Sequence, residues 1–280
     1  MKTYSLVLLD LDGTLLDSSL QVSDNTKKLL KRLEARGVPI ILCSARAPGG
    51  VELVEKQVGL NSPIVCYGGG LILDTNRSIL GDQGIERDDA VSFKQFVALN
   101  FPNITVCSYM YDIWLADNPD DPYIVMLAER NQTQPVVGSI DAALKGTGHV
   151  HKLMCMGPPR EIRSLQDAAA QRFARLEFAR SGSIFLEVLA KGVSKLTAME
   201  HLVAHYQVGM DQIVAIGDYY VDIDMLSHAG LGIAMGNAPV EVKQAAAMVT
   251  ASNDEEGVYI ALKTLRFTSL KAMLESDKRA

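Results

Sequence analysis

The sequence predicts an α/β protein in which a doubly wound, parallel-sheet core is interrupted by an inserted α+β domain. Near the amino terminus, short apolar runs alternate with helical stretches, and the same alternation returns near the carboxyl terminus. Such alternation is typical of a parallel sheet covered by helices on both faces. The middle instead combines aromatic-bearing strand candidates, polar helices and loops rich in Asp, Asn and Pro. We therefore expect a core built from residues 1–82 and 188–280, and an inserted domain at 83–187.

The elements of the first core segment follow from its apolar runs and helix-end signals. Ser23 is a typical N-cap residue, and Gly37 stands just past the predicted end of the same helix. The predicted order is strand Tyr4–Leu9, helix Ser23–Arg36, strand Val38–Cys43, helix Gly49–Val58 and strand Ile64–Tyr67, which is closed by Gly68, Gly69 and Gly70.

The second core segment and the insert are interpreted in the same way. The second segment predicts helix Lys195–Tyr206, strand Ile213–Ile216, helix Asp222–Ala229, strand Gly232–Met235 and helices Val240–Ala247 and Gly257–Leu265. The insert predicts helix Arg160–Phe173 and strands Thr105–Met110, Ile113–Leu115, His151–Met156 and Phe185–Val188.

Composition narrows the classes of partner. The net charge of −6 argues against broad nucleic-acid binding, which requires clustered Lys and Arg. No apolar run approaches the roughly 20 residues of a membrane helix, and the amino terminus lacks the pattern of a signal peptide. The four cysteines are scattered and form no CxxC pair, which favours buried free thiols in a cytosolic protein. We expect a cytoplasmic protein without nucleic-acid or membrane partners, and its oligomeric state stays open.

Two acids, Asp10 and Asp12, come directly after the first apolar strand. Parallel sheets bind ligands beyond the carboxyl ends of their strands, and buried carboxylates need a compensating cation or donors. A metal site with a neighbouring carboxylate fits this pattern, and a solvated acidic turn is the simpler alternative. A calcium loop is disfavoured, since such a loop continues with a late Glu and here Leu15 and Leu16 follow.

Three further strand ends or helix starts carry polar groups. Ser44 follows the second strand and suits an oxyanion, although a helix N-cap is the ordinary explanation of this residue taken alone. Lys195 begins a helix, where a cation is unfavourable unless an anion is near. Asp218 and Asp222 follow the strand Ile213–Ile216 at a spacing that can direct both carboxylates to one cation. Each pattern alone has an ordinary structural explanation, but together they supply a nucleophile, a proton shuttle, metal ligands and phosphate donors.

With these motifs the chain resembles the haloacid dehalogenase (HAD) superfamily, and within it the Cof-type sugar-phosphate phosphatases with an α/β cap. The resemblance covers nearly the whole chain. It lies in the nucleophile motif Asp10–Thr14, in Ser44, Lys195, Asp218 and Asp222, and in the Cof-like stretches Ala234–Ala238, Val242–Lys243 and Ser252–Val258. It implies a Rossmann-like core and places the family's cap in the inserted segment, where it would cover the site.

The resemblance also implies a role for each site residue. Asp10 is expected to be the nucleophile, Asp12 the general acid and base, and Ser44 and Lys195 the phosphate-binding groups. Mg²⁺ is expected to bind to Asp10, Asp218, Asp222 and the backbone carbonyl of Asp12. We expect Arg46, Gly69 and Asn237 to contact the substrate, a small phosphorylated metabolite, since a guanidinium beside a phosphate pocket can bind in a bidentate manner.

Four positions depart from the pattern of similar proteins. Ala45 and Leu196 replace glycines, Gly68 replaces an Asn, and Val221 replaces an Asn in the acidic metal motif. None of them removes a catalytic group, but all touch the pocket wall or its support. Two alternatives therefore stay open beside a phosphatase: a sugar phosphomutase, and a non-catalytic phosphosugar-binding regulatory protein.

Overall fold

The computed structural model describes residues 2–131, 133–144 and 148–270, and over these ranges the chain forms two compact units. One unit comprises the chain up to Gly81 and from Ser194 onward; the other is Asp82–Val193. The predicted boundary after Glu187 would divide a strand, Phe185–Ala190, that pairs with two neighbours inside the second unit. The junction therefore lies later, after Val193. Residues 271–280 of the predicted core lie outside the described residues.

The strands and helices are as follows. The strands are β1 (Thr3–Tyr4), β2 (Leu6–Asp10), β3 (Ile40–Cys43), β4 (Ile64–Cys66), β5 (Leu71–Leu73), β6 (Ile79–Asp82), β7 (Thr105–Met110), β8 (Ile113–Ala116), β9 (Val136–Val137), β10 (Lys152–Met156), β11 (Leu176–Ala179), β12 (Phe185–Ala190), β13 (Ile213–Gly217), β14 (Leu231–Ala234), β15 (Met248–Val249) and β16 (Arg266–Phe267). The helices are α1 (Asp24–Ala35), α2 (Pro48–Val58), α3 (Arg87–Asn100), α4 (Pro122–Asn131), α5 (Ile140–Leu144), α6 (Pro159–Arg172), α7 (Lys195–Tyr206), α8 (Ile223–His228), α9 (Val240–Ala245) and α10 (Gly257–Leu262).

The first unit contains a sheet in the order β15-β14-β13-β2-β3-β4-β5-β6. The pairs from β15 through β4 are parallel, which confirms the predicted parallel core. One face packs against α7, α8 and α9 through side chains such as Leu6, Leu8 and Ala215. Helix α1 contacts β3, and helix α2 contacts β3 and β4. The alternate β3 residues Ile40 and Leu42 are also fully buried. The sheet is thus covered on both faces, as a doubly wound fold requires.

At one edge the sheet extends beyond the predicted parallel strands. Strand β5 pairs with β4 in the antiparallel direction, with Ile64 opposite Leu73. The two strands are joined by the short turn Tyr67–Gly69, and such a tight connection allows only an antiparallel return, because a parallel strand needs a long crossover.

The second unit is an α+β domain, as predicted for the insert. Its sheet has the order β11-β12-β10-β7-β8-β9, and all its pairs are antiparallel except β8 with β9. One face packs under α3 and α6 through residues such as Phe93, Leu153 and Leu165. The opposite face packs against α4 through Trp114 and Met154.

Two other sequence predictions are confirmed. The Ser23 side chain accepts a hydrogen bond from the backbone N–H of Thr26 and so caps α1. All four cysteines are free and buried. Over the described ranges, no helix combines the length and apolarity that crossing a bilayer requires.

Candidate active site

The candidate site lies at the carboxyl edge of the parallel sheet in the first unit. Asp10 is the last residue of β2, and β2 lies between β3 and β13. Ser44 directly follows β3, and Asp218 directly follows β13. Because neighbouring parallel strands end at the same edge, residues far apart in sequence meet there.

Lys195 binds two of the acids that the sequence singled out. Its Nζ lies 2.5 Å from Asp10 Oδ1 and 2.5 Å from Asp222 Oδ1. Lys195 is the first residue of α7, which Ser194 caps through a reciprocal pair of hydrogen bonds with Thr197. Burial alone would lower the pKa of Lys195, but Asp10 and Asp222 outweigh burial and raise it. The ammonium ion is therefore held in its charged form against the nucleophile candidate.

Asp10 is buried, and its surroundings make its negative charge costly. Burial and the neighbouring carboxylates Asp222 and Asp218 raise the pKa of Asp10 to about 7, although Lys195 acts in the opposite direction. Cys43 stands opposite Asp10 in the sheet, and burial raises its pKa to about 12. Cys43 is thus a neutral packing residue, and Asp10 is the group at this position that can carry chemistry.

Both carboxylate oxygens of Asp222 have protein partners. Oδ1 accepts from Lys195, and Oδ2 accepts from the backbone N–H groups of Asp218 and Tyr219 at 3.0 and 2.9 Å. Asp222 is almost fully buried. Its main contacts therefore orient Lys195 and fix the loop that presents Asp218.

Three acids can share one cation. Oxygen atoms of Asp10, Asp218 and Asp222 lie within 4.8 Å of one another. When ionised, these three carboxylates and the Lys195 ammonium carry a net charge of −2, which one divalent cation neutralises. Carboxylate oxygens are the ligands that Mg²⁺ prefers. The residues present therefore fit the predicted metal, although the Asp12 carboxylate lies outside this group.

Asp12 instead pairs with Arg46. Arg46 Nε donates to Asp12 Oδ2 at 2.8 Å, and Nη2 contacts Asp12 Oδ1 in a second, short hydrogen bond. About half of the Asp12 side chain is exposed. The fork-shaped contact was expected between Arg46 and a phosphate group. The structure instead shows that Arg46 can hold the carboxylate predicted to be the acid and base.

The wall beside Ser44 is made of backbone. The Ser44 hydroxyl accepts from the backbone N–H of Arg46 at 3.2 Å, and the Ser44 carbonyl accepts from the N–H of Gly68. Gly69 has a φ of +121°, and a Cβ placed there would lie 2.2 Å from the carbonyl oxygen of Ser194. Glycine at 69 is thus explained by the close approach of this turn to the start of α7.

Asp218 is held by two side chains. The Thr14 hydroxyl donates to Asp218 Oδ1 at 3.0 Å, and the Asn237 amide lies 3.3 Å from Asp218 Oδ2. Burial raises the pKa of Asp218, with Asp222 adding to the effect and Thr14 opposing it. Sequence reasoning missed the role of Thr14, for which its place in the motif Asp10–Thr14 was the only signal.

Known proteins resemble this chain over most of its length. The family model described as haloacid dehalogenase-like hydrolase matches residues 7–262. The chain belongs to this family. A Haemophilus influenzae protein that carries a provisional name as a phosphatase is 35% identical over 93% of this chain and 97% of its own length. The 5-amino-6-(5-phospho-D-ribitylamino)uracil phosphatase YitU of Bacillus subtilis is 29% identical over 92% of this chain and 96% of its own length.

A solved structure of a protein with the same family description has a similar fold. A haloacid dehalogenase-like hydrolase from Bacteroides thetaiotaomicron has a TM-score of 0.82 and 26% identity, covering 93% of this chain and 99% of that one. The family match and the phosphatase relatives show that this chain is a phosphatase. They argue against the alternative of a non-catalytic binding protein.

Proposed function

We propose that this phosphatase hydrolyses small phosphorylated metabolites, sugar phosphates among them, with Mg²⁺ and through an aspartyl-phosphate on Asp10. The observation that carries the proposal is the placement of Asp10, buried at a strand end with Lys195 at 2.5 Å and grouped with Asp218 and Asp222. The substrate class is supported by the B. subtilis relative, whose name specifies a phosphorylated ribitylaminouracil.

The first half-reaction transfers the phosphoryl group to the protein. An Asp10 carboxylate oxygen attacks phosphorus, and the bond from phosphorus to the ester oxygen breaks. Asp12 gives its proton to the departing oxygen. The Lys195 ammonium and the Ser44 hydroxyl bind the phosphoryl oxygens as their charge redistributes. Mg²⁺, held by Asp10, Asp218, Asp222 and the Asp12 carbonyl, would supply the positive charge that offsets repulsion between carboxylate and phosphate.

The second half-reaction regenerates Asp10. Asp12, now ionised, removes a proton from water, and the water oxygen attacks phosphorus. The bond between Asp10 and phosphorus breaks, and inorganic phosphate leaves. Arg46 supports this second half, because its fork binds the ionised Asp12 carboxylate and holds it in one orientation.

Two substitutions separate the roles of the two acids. With ³²P-labelled p-nitrophenyl phosphate and Mg²⁺, Asp12→Asn should form the phosphoenzyme and then stall, because this leaving group needs little acid help and the water has lost its base. Asp10→Asn should not label at all. Loss of the proton shuttle should lower turnover by about 10²–10⁴-fold.

A parallel reaction in excess EDTA should give no label with either variant, and added Mg²⁺ should restore it for Asp12→Asn. Label on Asp10→Asn, or full labelling of Asp12→Asn in EDTA, would refute the nucleophile or the metal assignment respectively.

A further inference from the structure

Asn237 lies where three loops of the first unit meet, and both polar atoms of its side-chain amide are engaged. Nδ2 donates to the carbonyl oxygen of Gly13 at 2.8 Å and to Asp218 Oδ2 at 3.3 Å. Oδ1 accepts from the backbone N–H of Asn253 at 3.1 Å. The amide therefore ties the nucleophile loop, the Asp218 loop and the loop before α10 together.

The partners fix which end of the amide faces Asp218. The Gly13 carbonyl and the Asp218 carboxylate can only accept, and the Asn253 N–H can only donate. Rotating the amide by half a turn would set oxygen against oxygen at two contacts and N–H against N–H at the third. A donor consequently faces Asp218 Oδ2 at all times when this network is intact.

The opposite oxygen of Asp218 is held as well. Thr14 donates to Oδ1 at 3.0 Å from a fully buried position. The Asp218 carboxylate is thus held from both sides, and each oxygen keeps a further lone pair for another partner. Without these two donors the Asp218 carboxylate could rotate away from Asp10 and Asp222. In the structure, oxygen atoms of the three carboxylates lie within 4.8 Å of one another.

We propose that Asn237 is a positioning residue that holds the Asp218 carboxylate in the orientation required to bind a divalent cation, and is not a substrate contact. The inference deepens the proposed function and rests on it. Partners of this kind orient a metal ligand before the ion arrives, and their loss typically weakens metal affinity by about 10–100-fold. Asn237 is exposed, so water can replace part of its contribution. We therefore expect an effect of about 10-fold, the lower end of that range.

The test measures Mg²⁺ binding without substrate. Full-length, metal-stripped protein is titrated with Mg²⁺ by calorimetry, and Mn²⁺ binding is followed separately by electron paramagnetic resonance. Asn237→Ala and Thr14→Val should each raise the Kd for both ions by about 10-fold. The KM for p-nitrophenyl phosphate at saturating Mg²⁺ should change by less than about 2-fold in both variants, because Asn237 and Thr14 contact the metal ligand Asp218 and not the substrate.

Asn253→Ala is the matched control. It removes a hydrogen bond from Asn253 Nδ2 to the Leu16 carbonyl, in the same loop network, and leaves both donors to Asp218 in place. Its Mg²⁺ Kd should equal that of wild type. Equal weakening in Asn253→Ala and Asn237→Ala, or a wild-type Kd in Asn237→Ala, would overturn the positioning role. Absence of Mg²⁺ binding in wild type itself, or an unchanged Kd in Asp218→Ala, would instead refute the proposed metal site.

Discussion

At the scale of single residues, two adjacent glycines differ in whether the fold has room for a side chain at their positions. Gly68 has a φ of +67°, and a Cβ built on it would have no heavy atom within 4 Å. Gly69 has a φ of +121°, and its Cβ would meet backbone atoms of Ser194, starting at 2.2 Å. Asn tolerates the left-handed region that Gly68 occupies, whereas a backbone clash at Gly69 has no side chain that could move aside.

The pair gives a direct stability test. Gly68→Asn should change the free energy of unfolding by less than about 1 kcal/mol, because Asn is the residue after Gly most often found in this conformation. Gly69→Ala should cost more than about 2 kcal/mol and shift the start of α7, where Lys195 lies. Urea unfolding of both variants beside wild type measures the difference. Equal losses in the two variants would show that the turn is strained as a whole.

The sequence predicts where the polar residues of the candidate site lie, but not which side chains they contact. Asp10, Asp12, Ser44, Lys195 and Asp218 stand at strand ends or a helix start, and such positions follow from apolar patterns alone. The pairings of Arg46 with Asp12 and of Thr14 with Asp218 depend on how segments about 30 and about 200 positions apart are brought together in the fold. No periodicity in the chain encodes that arrangement.

At the scale of elements, the Asp82 carboxylate holds the start of the second unit in place through hydrogen bonds. Asp82 ends β6, and its Oδ1 accepts from His149 Nδ1 at 3.0 Å and from His151 Nε2 at 3.1 Å. Its Oδ2 accepts from the Tyr111 hydroxyl at 2.8 Å. His151 Nδ1 in turn accepts from the backbone N–H of Tyr111, so its Nε2 carries the hydrogen given to Asp82. Asp82 thus joins the first residue of the second unit to the segment before β10 and to the turn after β7.

This network makes the stability of the second unit dependent on pH. Burial alone would raise the pKa of Asp82, but hydrogen bonds from His151, Tyr111 and His149 outweigh it and lower the pKa to about 2, from an ordinary 3.8. A carboxylate with a lowered pKa stabilises the fold above its ordinary value, and that contribution is lost as the pH falls toward 2. Asp82→Asn should therefore cost about 2 kcal/mol at pH 7, and the difference from wild type should shrink between pH 4 and pH 2.

Asp88→Asn provides the control for this pH series. Asp88 is also acidic and lies in the same unit, but its side chain is 85% exposed. Its loss should change stability by less than about 0.5 kcal/mol at any pH. Chemical denaturation at pH 7, 4 and 3 measures all three proteins. A constant difference between wild type and Asp82→Asn over this range would contradict the proposed role of the charge.

The sequence predicted the bounds of helices and strands that have a cap or a clear apolar run, but it did not predict short or weakly patterned elements at the edges of the units. Helix α7 and strand β7 have the bounds that the sequence indicated, since a cap or a run of β-formers defines each of them. Strand β5 and helix α3 were not predicted. Leu71–Leu73 is too short to show a period, and α3 buries only Ala90, Phe93 and Val97 while leaving Leu99 83% exposed. A weakly amphipathic helix at a junction carries little pattern to find.

At the scale of the whole molecule, net charge and family membership bear on substrate choice. A protein of net charge −6 gives no general attraction to polyanions, so selectivity for phosphate rests on the few cationic groups at the site. In a phosphate-release panel with Mg²⁺, sugar monophosphates should be turned over faster than phosphoproteins and 5′-phosphorylated oligonucleotides. Asp10→Asn purified in parallel controls for contaminating phosphatase. A phosphoprotein that outpaces every sugar phosphate tested would contradict the proposed substrate class.

The position of β2 has a consequence for how the protein is made. This strand is central in its sheet, and Leu6 on it pairs with Ile213 of β13. On the ribosome, β2 and the whole of the second unit are synthesised before β13 exists, so the nascent chain carries one open edge on a strand whose residues are all buried in the finished fold. The contiguous segment Asp82–Val193 can fold during this interval, whereas the nucleophile waits for Lys195 and Asp218. Messages truncated before codon 218 should therefore yield folded inserts without phosphatase activity.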